Sequence, residues 1–79
     1  MKLIEQQNRG SLSRWYYVKD SPHEVMEDWA TGWYKVILKE EVESVTAPDG
    51  QTIRKFNTIG TSKWLTSEME LERYLEEHS

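Results

Sequence analysis

The sequence predicts an α+β fold: a small antiparallel sheet of three to four strands with two short helices packed on it. Three observations carry that expectation. Leu12 to Lys19 is rich in aromatic and β-branched residues and stops at Asp20-Ser21-Pro22, the composition of a strand running into a turn. Ala47-Pro48-Asp49-Gly50 lies between two β-rich stretches and has the residue order of a type I turn closed by a left-handed glycine. Ser21-Pro22-His23-Glu24 and Ser67-Glu68-Met69-Glu70 both have the form of a capping box, the mark of a helix start. The chain has 79 residues and is read as one domain over 1–79.

Met1 to Gly10 reads as a frayed start or a first short strand. Its only apolar pair beyond Met1 is Leu3-Ile4, far short of the roughly 7–15 apolar residues of a signal peptide. Leu12 to Lys19 is the first firm strand. One face holds Leu12, Arg14, Tyr16 and Val18, the other Ser13, Trp15, Tyr17 and Lys19. Aromatics on both faces mean a central strand, or a strand whose second aromatic face meets something else. Residues 22–30 are expected to be helical. Ser21 would cap, Pro22 would take the first helical position, and Val25, Met26, Trp29 and Ala30 would form a stripe opposite Glu24, Glu27 and Asp28. Thr31-Gly32 would end this helix, with Gly32 as a left-handed cap. At about two and a half turns, it depends on packing.

Trp33 to Thr46 reads as a long strand, paired across Pro48-Asp49-Gly50 with residues 51–59. Counting outward from Ala47 and Gln51 sets Val45 opposite Ile53, Glu43 opposite Lys55 and Val42 opposite Phe56. Tyr34, Val36, Leu38, Val42 and Phe56 then share one face. Lys35, Lys39, Glu41, Glu43 and Lys55 share the wetter one with Trp33, Ile37, Val45 and Ile53. So mixed a face calls for a bulge that exchanges the two sides. Residues 62–65 form a further short strand or a helix lead-in. The last helix spans 67–77, with Leu71, Tyr74, Leu75 and His78 as its core stripe and Met69 on the far side.

Composition excludes several classes. Without cysteine there is no disulfide scaffold and no Cys-ligated zinc. The longest purely apolar run, Trp15-Tyr16-Tyr17-Val18, is too short to span a membrane as a helix. The formal charge is −4, from 10 Lys+Arg and 14 Asp+Glu, which argues against a globally basic nucleic-acid binder. That deficit is local. Residues 66–79 hold five Glu and one Arg, whereas Thr52 to Leu65 holds Arg54, Lys55 and Lys63 and no acid. Hydrophobic residues make up 37% of the chain, against roughly 45–50% in typical domains. The four Trp and four Tyr must therefore carry much of the burial. Domains of this size are marginal, which favours a partner or self-association as a homodimer.

Residue chemistry points away from catalysis. There is no Cys nucleophile and no serine in a nucleophile elbow, and His23 and His78 read as solvated. His23 and Glu27 stand four apart, but one His and one carboxylate fall short of the three or four ligands of a zinc site. No metal and no cofactor is expected, and the scattered glycines make no phosphate loop. The expected function is a small non-enzymatic, cytoplasmic binding protein: an inhibitor, adaptor or subunit. It would act through an aromatic or edge-strand protein interface, with Trp15, Tyr17, Trp33 and Met69 as contacts and no membrane partner. The alternative is single-stranded nucleic-acid binding on a basic, aromatic sheet surface of Arg14, Trp15, Tyr17, Lys55, Lys63 and Trp64.

Overall fold

The structure, a computed structural model, describes residues 2–7 and 9–78. Met1 and Asn8, within the segment expected to be a frayed start or first strand, lie outside the described residues, as does Ser79. Five strands follow one another as an antiparallel meander: β1 Leu3–Glu5, β2 Ser13–Val18, β3 Glu24–Asp28, β4 Tyr34–Thr46 and β5 Thr52–Thr61. One helix, α1 Glu68–Glu77, comes last. The expected sheet of three to four strands with two helices is thus corrected to five strands and one helix among the described residues.

The correction lies in β3, the segment expected to be the first helix. As a strand it pairs with β2 on one side and β4 on the other, so its backbone groups enter two ladders. Val25 stands between Tyr16 and Val36 and is completely buried. A nine-residue helix would have made few intrahelical bonds for its nucleation cost. The capping signals are real turn chemistry put to another use. Ser21 Oγ accepts the backbone N–H of His23 (3.2 Å), a local turn beside Asp20 at φ +61°. Gly32, at φ +73°, closes the β3–β4 turn, where its N–H donates to the Asp28 carbonyl (2.8 Å).

α1 is built as its sequence suggests. Ser67 caps it by accepting the Glu70 N–H (3.1 Å), and the Glu70 carboxylate accepts the Thr66 N–H (2.9 Å). Leu71 and Leu75 are buried against Val18, Val25, Val36 and Leu65. Leu65 reaches that core because residues 62–65 return to β4: Tyr34 and Leu65 exchange both backbone bonds at 2.8 Å. Tyr74 is half-buried, whereas His78 stays exposed and stacks on the Tyr74 ring with centroids 4.0 Å apart.

β3 pairs with β4 only as far as Ile37. Beyond it β4 and β5 continue alone as a two-stranded arm, and the molecule is 45 Å long. At the arm's tip Gly50, at φ +89°, donates to the Ala47 carbonyl (2.9 Å). Val45 faces Ile53 and Glu43 faces Lys55. The third expected pair is corrected. Val42 is the extra residue of a bulge, so Phe56 faces Glu41 instead. Phe56 therefore lies on the side of Arg54, not of Leu38; Arg54 bridges to Glu41 (2.6 Å) and covers the Phe56 ring. A second register shift makes Ile59 an extra residue on β5.

The helix–sheet contact yields a stability contrast. Leu75→Ala is expected to cost about 2–5 kcal/mol in urea unfolding, since Leu75 is 2% exposed. Met69→Ala, at a side chain 71% exposed, is expected to stay within about 0.5 kcal/mol of the parent protein. Equal losses for the two would contradict this packing.

Candidate protein interface on the uncovered sheet face

α1 covers only one face of the sheet, the face of Tyr16, Val18, Val25 and Val36. Alternation along each strand sends Trp15, Tyr17, Met26 and Ile37 to the other face. Among the described residues no helix or strand lies over it. Two rows of side chains cross this face. The first runs Trp15, Met26, Lys35 and ends on Trp64, whose ring centre is 4.3 Å from Lys35 Nζ. The second runs Ile4, Tyr17, Glu24, Ile37 and Thr61. Ile4, Tyr17 and Trp64 are exposed, and Trp15, Met26 and Ile37 are half-buried.

Glu24 is the anomaly in these rows, a carboxylate only 4% exposed on a face without a lid. The segment after β1 provides its cover. Gln6 N–H donates to the Trp15 carbonyl (2.8 Å) and so extends the β1–β2 ladder. Gly10, at φ +74°, then bends the chain close to the Trp15 indole. In between, the Gln6 amide and the Arg9 guanidinium both donate to one Glu24 oxygen, while the Lys39 ammonium donates to the other. The Arg9 guanidinium also lies 4.0 Å over the Trp15 ring centre. Burial pushes the Glu24 carboxyl up, but Lys39, Gln6 and Arg9 outweigh it and hold the group below the ordinary carboxylate range.

The opposite side has another character. Between α1 and the sheet opens a cleft of about 400 Å³, lined by Glu27, Glu68 and Glu72 with Arg14, Tyr16 and Tyr34. Tyr16 donates to Glu27 (3.0 Å). Burial pushes both phenols up; Glu27 adds to the rise, and at Tyr16 Arg14 opposes it. Arg14 itself stacks on Trp29 at 4.7 Å, and its Nε has no hydrogen-bond partner among the described residues.

The residues expected at a site are thus divided. Trp15 and Tyr17 share the uncovered face, and alternation back from Tyr34 sets the exposed Trp33 on that side. Met69 projects from α1 on the far side of the molecule. Of the alternative set, Trp64 joins Trp15 and Tyr17. Arg14 lies on the helix side, Lys63 borders α1 beside Tyr74, and Lys55 stands on the arm opposite Glu43. No metal-ligating group of three His, Cys, Asp or Glu occurs among the described residues. Nor is any helix among them long and apolar enough to cross a membrane.

No family model, curated protein or solved structure matches this chain.

Sequence reasoning missed Met26, Glu24 and Arg9. The first two were assigned to a helix, and Arg9 sits in a segment without strong local signals. Glu24-Val25-Met26-Glu27-Asp28 shows no apolar–polar alternation, so no local signal marks it as a strand.

The Glu24 clasp is expected to respond to acid. Because Glu24 titrates lower in the folded chain, it adds stability above the ordinary glutamate value of about 4.3. That contribution is lost as pH falls through the depressed folded value. Glu24→Gln is expected to cost about 1–3 kcal/mol at pH 7, less than a fully dry ion pair, because both cations touch water. On acidification through this interval the two proteins' urea midpoints should converge. A constant gap would rule out Glu24 as the acid-sensitive group.

Proposed function

We propose that this chain works by binding another protein through the uncovered sheet face, as an inhibitor, adaptor or subunit would. The supporting observation is how that face disposes of its cations. Arg9 lies on Trp15 and Lys35 on Trp64, while Arg9 and Lys39 are both held by Glu24. Two of the aromatic rings are therefore already capped by cations of the same chain and have one face fewer for a nucleic-acid base. The cations, in turn, are partly neutralised where phosphates would need them. What the face offers outward is apolar and aromatic surface, with Tyr17 54% exposed between Ile4 and Glu24. Tyrosine, tryptophan, methionine and arginine are the residues that concentrate binding energy at protein interfaces.

Nucleic-acid binding is separated from this reading by charge. Phosphate contacts release counterions, so affinity for a single strand would fall steeply with salt. Contact through apolar and aromatic side chains changes little. The test is capture from a host extract with the parent chain and Tyr17→Glu, each with and without nuclease and at low and raised salt. A protein retained by the parent chain is expected to be lost by Tyr17→Glu, a loss of at least about tenfold in affinity. Melting temperature should shift little, since Tyr17 is exposed. The reading fails if the captured material is nucleic acid, released by nuclease or salt. It also fails if Tyr17→Glu and Trp64→Ala both bind the protein as the parent does.

A further inference from the structure

We propose that β5 pairs antiparallel with β5 of a second copy of this chain, about a two-fold axis at Phe56. The surface is a strand edge rather than the uncovered face, so this inference stands apart from the protein-binding reading above.

The sheet leaves three stretches of strand edge without a partner among the described residues. β1 is three residues long and offers little to pair with. The outer edge of β4 past Leu38 carries Glu40, Glu41 and Glu43 and is broken midway by the Val42 bulge. A second copy laid along it would meet like charge and an interrupted ladder. β5 is not interrupted in this way, and its like charge is two bases that β4 already answers: Arg54 bridges to Glu41 and Lys55 faces Glu43. The strand is ten residues long, has no acid, and stays regular from Thr52 to Thr58, before its own bulge at Ile59. Alternate residues along this edge aim N–H and C=O groups outward. Ile53, Phe56 and Ile59 are 38–58% exposed.

The sequence of β5 then selects the partner. Arg54-Lys55-Phe56-Asn57-Thr58 is matched about Phe56 in the property that matters for cross-strand pairs, a base on one side against a neutral polar residue on the other. With Phe56 opposite Phe56 of the other copy, Lys55 faces Asn57 and Arg54 faces Thr58, all within the regular stretch. Each base meets a neutral polar residue, and Phe56 meets its own copy. A slip keeping this symmetry must move by two in the pair sum, since a perpendicular two-fold axis preserves side-chain faces. One such slip sets Lys55 against Lys55. The other sets Phe56 against Thr58. The Phe56-centred register is the one without a conflict. The product is a ten-stranded sheet with both helices on one side and the two uncovered faces continuous on the other. Such an isologous contact closes at two copies.

The chain has no cysteine, so an introduced one is its sole thiol. Directly opposed strand residues fall within the roughly 4.4–6.8 Å Cα separation that a disulfide accepts. Under mild oxidation Phe56→Cys is expected to form a covalent dimer. A mixture of Arg54→Cys and Thr58→Cys is expected to cross-link at least about tenfold faster than Arg54→Cys alone, whose two copies stand too far apart. Met69→Cys should stay uncross-linked on that timescale. Light scattering on the parent chain should give twice the monomer mass, unchanged by Tyr17→Glu. A monomer mass up to millimolar concentration would overturn the proposal. So would cross-linking between Val42→Cys and Arg54→Cys with mass growing past two, the sign of β4 meeting β5 in an open chain.

Discussion

The ten-residue helix α1 spans only about 15 Å. β4 alone, at thirteen residues, runs to about 43 Å when extended. That mismatch organises the molecule. Leu71 and Leu75 can seal one face over the first half of the sheet, where Val18, Val25 and Val36 converge. They cannot reach the arm, and they cannot reach the other face at all. The dry core is therefore small, and Leu65 must be folded back onto β4 to complete it. Large apolar side chains elsewhere, such as Ile53, Ile59 and Tyr17, stay in contact with water. For so small a domain this is the expected direction of compromise, because surface grows relative to volume as chains shorten.

The uncovered face handles this differently from the arm. There the chain spends polar chemistry on protection. A buried carboxylate normally destabilises unless its acceptors are filled, and Glu24 has both oxygens occupied by donors from Gln6, Arg9 and Lys39. The same arginine is drawn across Trp15, so one ion pair orders the N-terminal segment and shields an indole together. Lys39 reaches it along the same face from the neighbouring strand β4, which makes Glu24 a bolt between β1's extension and β4. Arg9 and Lys39 are both partly exposed, so water weakens their pull on Glu24 and the bolt remains a modest contribution to stability.

Local chemistry was legible in the sequence, and long-range competition was not. The Pro48-Asp49-Gly50 loop, the Val45–Ile53 pair and the Ser67 cap each depend on neighbours in the chain or on simple counting, and each is found. The β3 segment failed because Ser21, Pro22 and Glu24 suit a helix start equally well. What decides for a strand is Val25 meeting Tyr16 and Val36, and Glu24 meeting Arg9 and Lys39, all distant in sequence. Side-chain matching favours Val42 opposite Phe56, yet Glu41 takes that position because Arg54 joins it while covering the Phe56 ring. For the site, Trp15 and Tyr17 were identifiable as one strand face. Grouping Arg14 with them was not compatible with that face, since neighbours in a strand point to opposite sides.

The root of the arm is pinned from both sides of the sheet, and this connects the two exposed regions. Lys39 is the first arm residue beyond the bulge at Ile59. On the uncovered side its ammonium is held by Glu24. Its backbone N–H donates to His23 Nδ1 (3.0 Å), which leaves Nε2 carrying the ring proton and donating to the His78 carbonyl (3.0 Å). His78 is the C-cap of α1 and stacks on Tyr74. A continuous set of bonds therefore runs from the end of the helix, through His23, to the base of the arm, and on through Glu24 to Arg9 and Trp15. A two-stranded ribbon free at its base would be a poor structural element in water. Anchored here, its direction relative to the uncovered face is set before any partner arrives, and the ordering cost of that geometry falls on folding rather than on binding.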